Sequence, residues 1–449
     1  MKNFIKNKKV ILVLGLILVL GIAGVLAAVY TLPMMQKNKG LAVSEGAGMD
    51  LLATDIASST SKSFSSSAIS DRAISGSKPE ALAVSSTEGS DSYIPSSQGG
   101  SPSQKDEEIK AGQLTAGEWN DLNNWSFWSN LMNNKEYAGY QNSWGFSLYN
   151  HYPVLVKQGE TPVNDAKIIL KDSNDNIIYQ ASTDNKGQAT LFAGSFQQQE
   201  SKNLSIIVKT NIETKTITDV KLDSNNALVI NMESSQADSN ILDLMFVMDT
   251  TGSMSDELEF LKSELKDVVK STREKSAGLN IRLSCNYYRD HGDDYVIRPF
   301  EFTENIDDVV NQISSQSADG GGDYAEAVEE ALDNAVSKHS WSESAKARLL
   351  FLVLDAPPHY TKARVEKLQE VVKKASANGI RIIPVASSGV DKETEFLLRC
   401  LGISTGGTYI FLTDDSGIGE SHIQPTIGKY DVQLLNELLI KTINEYVSK

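Results

Sequence analysis

Leu242-Asp243-Leu244-Met245-Phe246-Val247-Met248-Asp249-Thr250-Thr251-Gly252-Ser253-Met254-Ser255 decides how this chain is read. Apolar residues at nearly every step predict a strand buried on both faces, and the stretch from Asp256 to Val269 has helical spacing. Asp249, Thr251 and Ser253 then fall on the loop between the carboxyl end of a strand and a helix. In an open α/β sheet that crevice is where ligands bind. One carboxylate and two neutral hydroxyls are hard oxygen donors, suited to a small divalent cation such as Mg²⁺ that keeps waters and an open position.

Outward from this loop, residues 238–449 alternate strands and helices. Strands are expected at 280–288, 295–302, 348–354, 380–386 and 408–411, and helices at 253–275, 306–314, 324–338, 363–378, 392–401 and 432–447. The alternation predicts a doubly wound, mostly parallel α/β sheet covered on both faces. The short link His291-Gly292-Asp293-Asp294 makes two of its strands an antiparallel hairpin, giving one antiparallel edge strand. Two more loops converge on the same sheet end. Asp319-Gly320-Gly321-Gly322-Asp323-Tyr324 has glycines that let backbone approach a ligand, and Asp323 reads either as a metal contact or as a helix N-cap. Phe351-Leu352-Val353-Leu354-Asp355 is a second apolar strand ending in an acid, which needs a partner because a bare buried charge is costly. His359 beside Pro357 and Pro358 reads as structural. Asp290, Asp293 and Asp294 offer either a further cation site or a solvated acidic hairpin.

The pattern Asp249-x-Thr251-x-Ser253 resembles the metal-ion-dependent adhesion site of von Willebrand factor type A domains, written D-x-[ST]-x-S. The resemblance implies that Asp249, Thr251 and Ser253 ligate Mg²⁺, with Mn²⁺ or Ca²⁺ as alternatives, and that Asp355 acts as the family's last metal-loop acid. It departs at the glycine loop, where the family carries a Thr and this chain offers Asp323 or Gly322. A ligating Asp323 would add negative charge and weaken the ion's attraction for an incoming carboxylate. The segments Tyr287-Tyr288-Arg289-Asp290-His291-Gly292-Asp293-Asp294-Tyr295 and Leu398-Arg399-Cys400-Leu401-Gly402-Ile403-Ser404-Thr405-Gly406-Gly407-Thr408-Tyr409 are similar to bacterial surface proteins of this family.

The rest of the 449 residues divides by composition. A basic tail at 1–9 (Lys2, Lys6, Lys8, Lys9) precedes an uncharged run at 10–30, long enough to cross a bilayer. Its flanking charges predict a single-pass signal anchor in the cell membrane, amino terminus inside and body extracytoplasmic, with cleavage after Ala27 or Ala28 the alternative. Residues 31–113 are rich in Ser, Gly and Ala and should remain a disordered tether. Residues 114–150 hold four of the five tryptophans and are expected to pack on a neighbouring domain. At 151–233, short alternating runs between turn formers predict a small all-β sandwich. Gly159-Glu160-Thr161-Pro162-Val163-Asn164-Asp165-Ala166, with Thr183-Asp184-Asn185-Lys186-Gly187, resembles carboxypeptidase-regulatory-like and bacterial immunoglobulin-like modules, which implies a stalk or spacer. The Asp172–Asp175 turn offers a calcium site or solvated acids. Cys285 and Cys400 make no disulfide framework and read as buried thiols.

A net charge of −16 argues against nucleic-acid partners and raises local cation concentration. The leading expectation is a non-enzymatic, membrane-tethered surface protein that uses a bound cation to dock a protein partner's acidic group. Two other readings compete with it. Asp249-Thr250-Thr251-Gly252-Ser253 also resembles the Asp-x-Thr-Gly-Thr loop of aspartyl-phosphate enzymes, in which Asp249 would be the nucleophile of a Mg²⁺-dependent phosphoryl transfer aided by Lys362 and Asp414-Asp415. A structural domain with a vacant metal site is the third.

Overall fold

The computed structural model describes residues 109–196, 203–234, 239–275 and 278–448. The basic tail, the expected membrane-spanning run and nearly all of the tether lie outside the described residues. Among the described residues, no helix is long and apolar enough to cross a membrane.

The described chain opens with β1 (Thr115–Trp119), followed by α1 (Trp125–Met132) and α2 (Lys135–Trp144). Next come β2 (His151–Gln158), β3 (Thr161–Pro162), β4 (Lys167–Lys171), β5 (Ile177–Ser182), β6 (Gln188–Phe192), β7 (Leu204–Lys209), β8 (Thr214–Val220) and β9 (Leu228–Asn231). They form two four-stranded sheets, β3-β2-β6 with β9 on β2, and β5-β4-β7-β8. Inward residues alternate, as with Ile168 and Leu170 on β4 and Ile206 and Val208 on β7, so each strand buries one face. Asp172 closes its turn by accepting from the Asn174 and Asn176 N–H groups at 2.9 Å each and from the Asn176 amide at 3.0 Å, the behaviour of a solvated turn acid.

The second half supplies β10 (Ile241–Asp249), a 3₁₀ turn (Gly252–Asp256), α3 (Leu258–Lys275), β11 (Asn280–Tyr288), β12 (Ile297–Arg298), α4 (Ile306–Ser314), α5 (Val328–Ser337), β13 (Ala347–Leu354), α6 (Lys362–Asn378), β14 (Ile380–Ala386), α7 (Lys392–Thr405), β15 (Tyr409–Leu412), β16 (Gln433–Leu434) and α8 (Leu435–Val447). The main sheet has eight strands in the order β12-β11-β10-β13-β14-β15-β1-β16. The five from β11 to β15 are parallel. Met245, Val247, Leu350 and Leu352 face α5, α6 and α7, whereas Leu244, Phe246, Leu349 and Phe351 face α3, α4 and α8. That two-sided burial accounts for the unbroken apolar runs of β10 and β13. Cys285 and Cys400 are free and buried.

The edges differ from expectation. The sheet carries antiparallel strands at both ends, not one: β12 pairs antiparallel with β11, and β1 pairs antiparallel with β15 and with β16. The chain therefore lays down one strand of the main sheet before building the two small sheets, and returns to it only at β10. The strand expected at 295–302 shrinks to β12. Side chains of β11 take its place, because Ser284 donates to the Phe300 carbonyl at 2.6 Å and Asn286 accepts from the Phe300 N–H at 2.7 Å.

The inserted sheets are bolted to the main one. Arg348 on β13 grips Asp165 through two hydrogen bonds of 2.9 Å, both side chains being buried. Tyr179 donates to the Ser404 carbonyl, Ser376 to the Gln180 carbonyl and Arg381 to the Ser182 carbonyl. On the other flank, fully buried Arg399 holds Asp121 at 2.7 and 2.9 Å and lies over the Trp128 ring. This fixes the aromatic segment on α7.

Candidate metal centre

The strand order reverses between β10 and β13, and the carboxyl ends of these two strands frame the site. Asp249 ends β10 and is fully buried. Its Oδ1 accepts from the Thr251 N–H at 2.8 Å and the Thr251 hydroxyl at 2.7 Å, and the Thr251 and Ser253 hydroxyls lie 3.2 Å apart. The three residues thus form a continuous row of oxygens running from the buried acid to exposed Ser253. The Gly252 N–H donates to the Gly320 carbonyl at 3.1 Å, and the Asp319 N–H to the Thr250 carbonyl at 3.1 Å. These bonds draw the glycine loop onto the first loop. Gly320 and Gly321 both have φ above +70°, a conformation that favours glycine.

Asp355 follows β13 and is buried. It lines one cavity together with Ser253, Asp323, Tyr324 and Glu326. The structure therefore brings Asp249, Thr251, Ser253 and Asp355 to one place, with Asp323 exposed on the rim. Asp323 is not a helix cap. Helix α5 begins at Val328, after Ala327, because the Glu326 N–H is spent on the Pro357 carbonyl at 2.9 Å and Glu326 forms a parallel bridge with Pro358.

That bridge carries in a residue not singled out from the sequence. Glu326 is 2% exposed, and its Oε2 has no hydrogen-bond partner; the same holds for Asp249 Oδ2 and Asp355 Oδ1. Three buried carboxylate oxygens left without donors are costly unless protonated or joined by a cation. Burial is the first cause that raises all three. Asp249 is pushed up to about 6, despite its bonds to Thr251. Asp355 goes to about 7, with the Asp249 charge adding to burial. Glu326 reaches about 9, with Asp249, Asp290 and Asp355 adding. The buried Tyr288 phenol is also raised by burial and by the Asp249 and Asp355 charges. Nearby arginines do not serve these acids: Arg289 donates to the Thr250 and Ser317 carbonyls, and Arg364 pairs with Glu329. The donor set of two carboxylates and two hydroxyls, with unsatisfied oxygens, fits a hard divalent cation.

Asp290 and Asp293 are not a solvated hairpin. Asp290 is buried, and Asp293 Oδ2 accepts from the Asp290 and Gly321 N–H groups at 3.0 and 2.9 Å. Asp294 is exposed. Asp290, Asp323 and His359 each present a ligand atom, all within 4.8 Å of one another. Lys362 is exposed and pairs with Glu366, while Asp414 accepts from His422 at 2.9 Å.

An open, mostly parallel α/β sheet with an acid and two hydroxyls at its carboxyl edge defines the class of protein. Residues 243–410 match the family model described as von Willebrand factor A domain, and this stretch is a domain of that family. The alpha-protein kinase vwkA of Dictyostelium discoideum is 23% identical over 214 residues, covering 47% of this chain and 34% of that protein. An ariadne-like RING finger protein of Acanthamoeba polyphaga mimivirus is 31% identical over 122 residues, covering 27% of this chain and 11% of that protein. The chain thus spans about a third or less of the length of these relatives. Among solved structures, protein BatB from Bacteroides thetaiotaomicron is 14% identical with a TM-score of 0.33, covering 46% of this chain and 100% of that one. An aerotolerance-related membrane protein from Bacteroides fragilis is 15% identical with a TM-score of 0.32, covering 45% of this chain and 99% of that one.

Proposed function

We propose that this chain is a membrane-anchored, extracytoplasmic binding protein, not an enzyme, that holds Mg²⁺ at Asp249, Thr251, Ser253 and Asp355 and recognises an acidic group on a protein partner. The observation that carries this reading is the set of orphaned oxygens on Asp249, Asp355 and Glu326. When bound, the ion supplies positive charge to these acids and an open position for an incoming carboxylate. Asp249 is positioned by Thr251, whose two bonds to Oδ1 leave Oδ2 free to face the ion. Ser253 is the exposed end of the oxygen row and meets the partner first.

The surroundings favour a macromolecular partner. Tyr324 on the cavity wall is 48% exposed, and Tyr360, next to His359, is 62% exposed. Their rings are held in place: the Tyr324 hydroxyl donates to the Gly389 carbonyl at 3.0 Å, and Tyr360 packs edge-on against Trp144. Pre-positioned tyrosines around a polar centre suit a protein interface. The basic residues before the apolar run at 10–30 support a membrane anchor. The two small sheets serve as a sandwich that braces the A domain, since Asp165–Arg348 ties them to it.

The test is capture of surface proteins by the full chain with Mg²⁺, with chelator, and with Asp249→Ala. Partner capture should be lost in the last two while Tyr324→Ala loses the partner and keeps the ion. Capture that survives both chelation and Asp249→Ala refutes the proposal.

A further inference from the structure

We infer that His422 is a pH-operated latch: as an imidazolium it pins the strap between β15 and β16 against the turn that carries Ser253, and on losing its proton it lets the strap lift away from the cavity of Ser253 and Asp355.

Residues 413–432 join β15 to β16 with no regular structure beyond a 3₁₀ turn at Asp414–Ser416. Connections longer than about 12–15 residues are uncommon in compact domains, and lids are among their uses. Both ends of this one are fastened. The Thr413 N–H donates to the Thr115 carbonyl at 2.9 Å, and Lys392 on α7 donates to the Gln424 carbonyl and, at 2.8 Å, to the Thr426 hydroxyl. Between these points the strap is held by two adjacent acids, Asp256 and Glu257, where the 3₁₀ turn Gly252–Asp256 runs into α3. Asp256 Oδ2 accepts from the Glu420 N–H at 2.6 Å and from the Ser388 hydroxyl at 3.4 Å. Glu420 and Ser388 line the cavity together with Ser253 and Asp355. Gly419 lies so close over Glu257 that a side chain there would overlap its carboxylate.

His422 makes the remaining tie. It is 7% exposed, with Nε2 2.7 Å from Glu257 Oε1 and Nδ1 2.9 Å from Asp414 Oδ1. A carboxylate only accepts, so both bonds form together only when both ring nitrogens carry protons. Glu257 is fully buried, its Oε2 has no hydrogen-bond partner, and His422 is the one cation paired with it among the described residues. Loss of the proton turns a lone pair towards one acid and leaves a buried carboxylate without its counter-charge, which is costly. Asp415 and Tyr430 share a cavity with His422, and Asp256 and Glu420 flank the contact, so its surroundings hold acids that favour the charged ring. Burial lowers the imidazole pKa, but the bonds to Glu257 and Asp414 outweigh it and the net value lies above the ordinary 6.5. The tie is therefore complete below pH 6.5 and is lost as pH rises through the raised value.

The latch depends on the proposed binding function only for its purpose, which is to gate a bulky partner's approach to Ser253. Reading it in chelator lets the two fail separately. Hydrogen exchange of the full chain is followed by mass spectrometry from pH 6 to 9 and corrected for the intrinsic rate. Protection of residues 414–423 should fall about tenfold per pH unit between the ordinary and the raised imidazole values, while β14 stays protected. In His422→Gln, which keeps a donor for one acid and cannot be charged, protection of the strap should be low already at pH 6 and should no longer vary with pH. The ring resonances of His422, identified by their loss in His422→Gln, should titrate at lower pH in Glu257→Gln than in the wild type. Unchanged protection of β14 shows that both variants remain folded. Wild-type strap protection that is the same at pH 6 and pH 9 overturns the latch, as does a pH dependence that survives in His422→Gln. Ring resonances that titrate at the same pH with and without the Glu257 charge overturn it equally.

Discussion

Replacing Asp249 with Asn separates a metal site from a merely structural acid. Asn keeps the oxygen that accepts from the Thr251 N–H and hydroxyl, and puts an N–H₂ where Asp249 Oδ2 now has no partner. The wild-type carboxyl is fully buried and raised from 3.8 to about 6. A raised acid favours the fold below its unfolded pKa and loses that contribution as pH rises through the folded one. Without metal, wild-type stability attributable to this group therefore falls between pH 4 and 7. At about 1.4 kcal/mol per pKa unit the loss is about 3 kcal/mol above pH 7. In chelator at pH 8, Asp249→Asn should be the more stable protein. At about 2–4 °C per kcal/mol its Tm should rise by about 6–12 °C, and the advantage should vanish near pH 4. Mg²⁺ reverses the ranking. At a thousand times its Kd an ion adds about 4.1 kcal/mol to the wild type and nothing to the variant. The assay is differential scanning calorimetry at pH 4, 6 and 8, with and without Mg²⁺. An Asn variant that is less stable than wild type in chelator at pH 8, and still stabilised by Mg²⁺, refutes the reasoning.

Two further outcomes follow from groups outside the site. Asp165→Asn tolerates the left-handed backbone at this position (φ 55°) but leaves buried Arg348 without its counter-charge. It should cost about 2–3 kcal/mol, and hydrogen exchange should quicken first along β5 and α6, where the small sheets meet the A domain. His151 is held near 4, well below the ordinary imidazole value, because it is buried; its ring stacks on Trp125 with ring centroids 4.1 Å apart. A lowered imidazole loses stability as pH falls from 6.5 to 4. His151→Phe keeps the stack and should flatten that part of the wild-type pH profile in thermal melts.

The parallel core was legible because each of its strands announces itself locally. The run at 380–386 is apolar at almost every step and that at 280–288 alternates polar and apolar residues as far as Tyr287; they became β14 and β11 with the expected bounds. β1 was not legible. Thr115-Ala116-Gly117-Glu118-Trp119 has no apolar run, and it joins the main sheet across the whole inserted module. Gly117 is required there because the Phe411 and Tyr430 rings occupy the space of a side chain. β8 gives little local signal for a related reason: Thr214–Val220 is polar and half exposed, and pairing with β7 makes it a strand.

The site divides along the same line. Asp249, Thr251 and Ser253 lie within five residues, and Asp355 ends an apolar strand, so local pattern alone drew attention to them. Glu326 gave no such signal, since an acid shortly before a helix reads as an ordinary first-turn residue. Its role depends on the Pro357 carbonyl, which holds the chain extended past Asp323 and turns the carboxylate inward. Asp290 and His359, sixty-nine residues apart, meet only through the topology of β11 and β13. A sequence reading finds ligands that a single loop brings together. The charge balance of a centre is set by residues that tertiary structure delivers, here Glu326 and Asp290.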